Sequence, residues 1–184
     1  MTTARVQPPH LLTVAEYLEL DEPPWGYTEL VEGRIVMSPS PHRRHNRAAY
    51  RLATAIEPQL PAGLEVLLDL DVDLQLVPAD EPGFSRRPDV VITRRAEGVI
   101  PARDVVIVVE VVSPGSVRTD HMVKRAEYAD AGIPHYWIID VRERPALLAC
   151  HLAGEFGYVD GGLVHGVFAT EDPLPLRLDL DALA

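Results

Sequence analysis

A chain of 184 residues, 47% of them hydrophobic, is about the size of one domain and can bury a core without disulfides. Its formal net charge of -11 excludes a general coating of basic charge for nucleic acid or anionic lipid, so any polyanion must meet a local concentration of basic residues. The single cysteine, Cys150, cannot close an internal disulfide and reads as a small core residue in a reducing compartment.

The first ten residues, MTTARVQPPH, carry no apolar leader, and the longest apolar run, 105–112, is too short to cross a bilayer. No membrane segment and a cytoplasmic location are expected. Thr13 with Glu16 three residues on predicts a capping box that opens a short helix, ended by Asp-Glu-Pro-Pro at 21–24. Residues 27–38 predict a hairpin turning at Glu32-Gly33, with Ser-Pro-Ser-Pro at 38–41 ending its second strand. Ala48, Leu52, Ala55 and Ile56 form the stripe of an amphipathic helix over 43–60. Next, 64–77 alternates like a strand, whereas 88–92 and 104–112 are continuous β-branched runs suited to the middle of a sheet. After the Ser113-Pro114-Gly115 turn, 118–131 predicts a helix ending at Gly132, and 135–141 another buried strand before a β-rich tail. Neither a repeat nor a dividing linker is present, so residues 1–184 are expected to form a single domain of the α/β (α+β) class. Its architecture would be a central mixed β-sheet flanked by helices, with an N-terminal helix and hairpin.

Glu110 is the most informative residue, because it interrupts V-V-I-V-V-E-V-V, where an ionised carboxylate is costly without a cation, a metal or a raised pKa. The plainer reading lets it reach water at the strand's end or pair with an arginine. Asp89 heads the neighbouring apolar run, its direction set by the extended entry that Pro88 imposes. Two carboxylates from central strands, with no cysteine or histidine alongside, suit Mg2+ or Mn2+ better than zinc. On the helix that follows, Asp120, Lys124 and Tyr128 recur at four-residue spacing and share one face. Lys124 reads either as half of a surface Asp-Lys pair or as an ammonium that orients an attacking water and offsets charge developing on phosphorus.

The strings P-D-V-V-I, E-V-V-S-P, D-x-x-x-K-x-x-x-Y and G-I-P-H-Y-W-I-I-D, with E-L-V-E-G-R-I-V-M-S-P near the N-terminus, closely resemble the Uma2 family. The resemblance runs from Leu12 almost to the C-terminus. It implies the restriction-endonuclease-like fold and a PD-(D/E)xK nuclease site, with Asp89 as the aspartate of PD and Glu110 as the following acid. Val112 stands where the superfamily expects a lysine, so the resemblance assigns that charge to Lys124 on the adjacent helix. Glu29 matches a family glutamate and would join the site from the hairpin, though an exposed hairpin glutamate is an equal reading; Glu32, in the turn, is the weaker candidate.

Basic charge is concentrated in HRRHNRAAYR, 42–51, which holds four arginines and two histidines without one acid, and in Arg86-Arg87 just before Pro88. Arg43, Arg44, His45 and Arg87 are therefore candidates for phosphate contact, and Ser113 and Tyr128 complete the substrate-binding set. His45 also matches a family position and could act as ligand, base or phosphate contact. Asp69, Asp71 and Asp73 share a strand face on alternate positions and read as structural.

These readings converge on a Mg2+- or Mn2+-dependent endonuclease: Asp89, Glu110 and the carbonyl of Val111 hold the metal, Lys124 positions the attacking water, and DNA is the substrate. Cutting two strands is simplest with two sites, which suggests a homodimer. The alternatives are an inactive nucleic-acid-binding or assembly protein that keeps the fold, and a hydrolase of a smaller phosphate ester.

Overall fold

The structure is a computed structural model that describes residues 10–21, 26–38, 42–95 and 97–184. The predicted stops at 22–24 and 39–41 lie outside the described residues. Helix α1 (Val14–Leu18) opens on the expected capping box: Thr13 Oγ1 accepts the Glu16 N–H, and the Glu16 carboxylate accepts the Thr13 N–H. Strands β1 (Thr28–Val31) and β2 (Arg34–Met37) join through Glu32 and Gly33 at φ 50° and 71°, the left-handed pair that a two-residue hairpin requires.

A ring of backbone hydrogen bonds ties this hairpin to two remote segments. Leu12 N–H donates to the Gly33 carbonyl at 2.9 Å, Gly33 N–H to the Gly83 carbonyl at 2.9 Å, and Gly83 N–H to the Leu12 carbonyl at 3.0 Å. The approach leaves no room for a side chain at Gly83, where a Cβ would lie 2.5 Å from Val14 Cγ2 and 2.9 Å from Val14 N. Gly83→Ala is therefore expected to cost about 1–3 kcal/mol, the scale of overpacking. A thermal midpoint several degrees lower would show it, and an unchanged midpoint would mean that the ring gives way freely.

Helix α2 (Arg43–Ile56) turns Ala48, Ala49, Leu52, Ala53 and Ile56 inward. It stops short of the predicted residue 60 because Pro58, which has no N–H to donate, draws Glu57–Gln59 into a 3₁₀ turn. The alternating stretch 64–77 is two strands in two sheets: β3 (Leu64–Leu68) and β4 (Val72–Asp73) are separated by a bend at Asp69, φ 52°. Then come β5 (Ser85–Arg86), β6 (Val90–Arg94), β7 (Ile100–Pro101) and β8 (Val105–Val112). The predicted helix over 118–131 is present, but its first part, Thr119–Lys124, is π-helical before α3 (Arg125–Asp130), and Gly132 follows at φ 73°. Strands β9 (His135–Asp140), β10 (Ala146–Leu152), β11 (Tyr158–His165), β12 (Val167–Thr170) and β13 (Leu176–Asp179) complete the fold.

The larger sheet has the order β11-β10-β9-β8-β6-β3, with β8 and β9 parallel and the other neighbours antiparallel. The smaller sheet runs β2-β1-β5-β4-β7. Side chains of β8 alternate between two cores. Ile107, Val109 and Val111 pack with Leu52 and Ile56 of α2 and Leu176 and Leu178 of β13; Val108 and Val112 pack with Val72, Tyr128 and Tyr136. Covering on both faces explains the unbroken Val/Ile composition of β8. Glu110 shares the parity of Val108 and Val112, which points it at the face beneath α3. Among the described residues no helix is long and apolar enough to cross a membrane, and Cys150 is free and buried as expected.

Candidate active site

The register of the larger sheet creates the site. Val90 of β6 opposes Val109 of β8, so one step further along the antiparallel ladder Asp89 comes level with Glu110, where β6 has ended. The Val111 N–H on that flank has lost its strand partner and donates instead to Asp89 Oδ2 at 2.6 Å. A strand residue's N–H and C=O point to the same side, so the Val111 carbonyl faces the same gap. His45, from the first turn of α2, pairs with the same Asp89 oxygen at 3.0 Å through Nε2. Burial would lower its pKa, but the hydrogen bond to Asp89 and that residue's charge more than offset this and raise it.

Glu110 is 3% exposed, and its Oε1 accepts hydrogen bonds from Lys124 Nζ and Tyr128 Oη, each at 2.8 Å. Lys124, 7% exposed, also reaches Glu29 Oε1 at 3.1 Å. Burial pushes Glu110 well above the carboxylate range, with Lys124 opposing the shift and Asp89 adding to it. Burial would likewise lower Lys124, but Glu110 and Glu29 outweigh it and hold the ammonium charged. Glu29, although buried, is brought below the ordinary range by Lys124 and Arg86. Its Oε1 accepts the Arg87 N–H at 3.1 Å and its Oε2 the Arg86 Nη1 at 2.8 Å.

Every sequence candidate can thus be located. Asp89, Glu110, Val111 and Lys124 line one pocket of about 70 Å3 with His45, Arg87 and Ser113, and Glu29 stands behind Lys124. Room of that size admits an ion and a few waters but not a nucleotide. Tyr128 is completely buried, so it reaches Glu110 and not a substrate, a correction to its place in the substrate-binding set. Arg43 and Arg44 are exposed on the first turn of α2, outside this pocket. Arg86 is no phosphate contact: it is buried, donates through Nε and Nη2 to both oxygens of Glu127 at 2.6 and 2.7 Å, and pins α3 to β1 through Glu29. Arg87 pairs with Asp71 at 2.6 Å and lies over the Tyr27 ring. Glu32 sits exposed in the hairpin turn.

Asp69 was missed, because strand alternation accounts for it equally well. The three aspartates do not lie on one strand: Asp69 bends the chain and lines the pocket, Asp71 holds Arg87, and Asp73, in β4, accepts the Gln75 N–H at 3.0 Å. Asp120 lines the pocket as well. Burial raises the pKa of both Asp69 and Asp120, and the charge of Asp89 adds to each shift. Among the described residues, four pocket carboxylates, Asp69, Asp89, Glu110 and Asp120, therefore face three basic groups, Lys124, Arg87 and His45.

That excess of negative charge fits a cation. Both hydrogen bonds to Glu110 fall on Oε1 and both partners of Asp89 on Oδ2, so each carboxylate keeps one oxygen free of them among the described residues. With the Val111 carbonyl these make an all-oxygen donor set. No group of three His, Cys, Asp or Glu side chains among the described residues could hold a metal unaided, so such an ion would keep water ligands, as Mg2+ does.

No curated protein matches the chain. A solved structure of a "putative nuclease belonging to DUF820" from Anabaena variabilis ATCC 29413 superposes with a TM-score of 0.67 at 19% identity, over 94% of this chain and 97% of that one. At that identity the likeness is one of fold, and the fold is restriction-endonuclease-like. The sequence itself carries the assignment further: residues 14–166 match the model of Uma2, described as "Putative restriction endonuclease", and with most of its length matched the chain belongs to the Uma2 family.

Proposed function

We propose that this protein is a Mg2+- or Mn2+-dependent endonuclease that hydrolyses DNA phosphodiester bonds. The observation that carries the reading is the pairing of Asp89 and Glu110 across the end of β6, with the charged Lys124 ammonium 2.8 Å from Glu110 in a water-sized pocket. When bound by Asp89, Glu110 and the Val111 carbonyl, the cation would offset the carboxylate charge, polarise a phosphoryl oxygen and lower the pKa of a water.

The chain's own groups supply the rest. Lys124 is held charged by two carboxylates, so it can hydrogen-bond the attacking water and offset the charge that grows on the phosphoryl oxygens. As that water adds to phosphorus, the bond to the leaving oxygen breaks and the oxygen takes up a proton. Glu29 and Tyr128 fix Lys124 and Glu110 in place. The Val111 N–H and His45 orient Asp89 so that its second oxygen stays available. The pocket excludes a whole nucleotide, so a substrate presents only its phosphate there, which suits a polymer lying across the surface. Cutting both strands of a duplex would call for two copies of the chain.

Titrating Mn2+ and Mg2+ calorimetrically into the protein, followed by incubation with plasmid and single-stranded DNA, tests the reading. Binding should release protons and weaken as pH falls, because burial raises the pKa of Glu110 and a bound metal competes with protons for its carboxylate. Metal-dependent cleavage lost in Glu110→Gln supports the nuclease. Binding without cleavage of any DNA would transfer the site to an inactive binding or assembly protein, and no binding would remove the metal reading.

A further inference from the structure

Beside the catalytic pocket lies a second, larger cavity of about 490 Å3, and the two share His45 and Ser113 in their walls. Its apolar walls come from Val112, Pro114 and Val141, and its polar ones from His42, Arg43, Arg44 and Arg142. In a chain with 28 acidic against 17 basic side chains, a cavity whose described lining holds three arginines, one of them paired with Asp140, two histidines and no acid is a local reversal. Two of the arginines are also set in position. Arg44 Nη1 donates to the Arg142 carbonyl at 3.3 Å, and the Arg142 guanidinium is fastened by its edge to Asp140, through Nε at 3.0 and 3.1 Å and Nη2 at 2.6 Å. A guanidinium held by its edge keeps its flat faces for stacking.

Resting on the nuclease reading, we infer that this cavity receives an unpaired nucleobase of the DNA strand whose phosphate occupies the catalytic pocket. A cavity this size holds a base, which the catalytic pocket cannot. Apolar walls take the base, guanidinium planes stack on it, and the exposed Arg43 meets the flanking phosphate. Because the two cavities meet at His45 and Ser113, base and phosphate can belong to neighbouring nucleotides. The preferred substrate is therefore single-stranded DNA, or a duplex with a base swung out of its stack, and not a fully paired duplex.

Binding is measured on Asp89→Asn, so that cleavage is largely suppressed, with three labelled oligonucleotides: single-stranded, duplex with one bulged base, and fully paired duplex. The single strand and the bulge should bind about tenfold more tightly than the paired duplex, the scale of one stacked base. Adding Pro114→Trp, at an exposed position on the cavity's mouth, should remove that difference and leave Mn2+ binding by the otherwise wild-type chain unchanged. A preference for the bulge with none for the single strand would still support the cavity and assign the base to a duplex. Equal binding of all three DNAs, no binding of any, or a change of oligomeric state in Pro114→Trp would overturn the inference. Failure of the nuclease reading shows separately, as selective binding of unpaired DNA by a wild-type protein that cuts none of it.

Discussion

Asp89→Asn should reduce DNA cleavage by about a thousandfold or more, corresponding to a loss of several kcal/mol of transition-state stabilisation. The variant should fold normally. The amide oxygen can still accept the Val111 N–H, while removing the charge relieves the repulsion that helps to raise Glu110, Asp69 and Asp120. The thermal midpoint of the metal-free variant should therefore equal or exceed that of the wild type, as is common where a charged site is kept for function at the expense of stability. Mg2+ should raise the wild-type midpoint and leave the variant's almost unmoved. A variant that cuts at the wild-type rate per folded molecule would remove Asp89 from the reaction altogether.

Lys124→Met should show the opposite balance, with stability lost along with activity. Lys124 bridges Glu110 and Glu29, both buried, and removing it leaves two carboxylates without their shared cation. Breaking such a pair costs about 3–5 kcal/mol, which in a chain of this size is roughly 10 °C in the thermal midpoint. Adding Glu110→Gln to Lys124→Met should restore part of that loss without restoring cleavage, since the amide needs no counter-charge. The pH response gives a second check. Burial raises the folded-state pKa of Glu110, so its contribution to stability is complete below the ordinary glutamate range and is lost as pH climbs through the raised value. Metal-free wild type should therefore weaken toward alkaline pH, and the Glu110→Gln variant should weaken less. Equal pH profiles for the two would mean that Glu110 ionises as an ordinary surface carboxylate.

Much of this was legible in the residues, for reasons particular to each segment. The central strands announce themselves because a strand covered on both faces tolerates little but Val and Ile, and that intolerance makes Glu110 conspicuous. The Thr13 capping box is a local pattern, complete within four residues. The strand over 64–77 was misread because alternation looks the same whichever sheet a strand joins, and the bend that divides it is carried by Asp69, not by a glycine. The web around Arg86 left no trace, since its partners Glu29 and Glu127 lie 57 and 41 residues away. Four-residue spacing put Tyr128 on the same face as Lys124, but only packing shows that it stands behind Glu110 and out of a substrate's reach.

The hydrogen-bond ring through Leu12, Gly33 and Gly83 has a further consequence for how the molecule breathes. Each bond closes a loop through the other two, so the three segments come apart together or not at all, as one cooperative unit of local unfolding. That unit includes the hairpin bearing Glu29, and opening it would draw this one carboxylate away from both Lys124 and Arg86. In the nuclease proposed above, catalysis would thereby depend on the lifetime of a small clamp that is not part of the pocket lining.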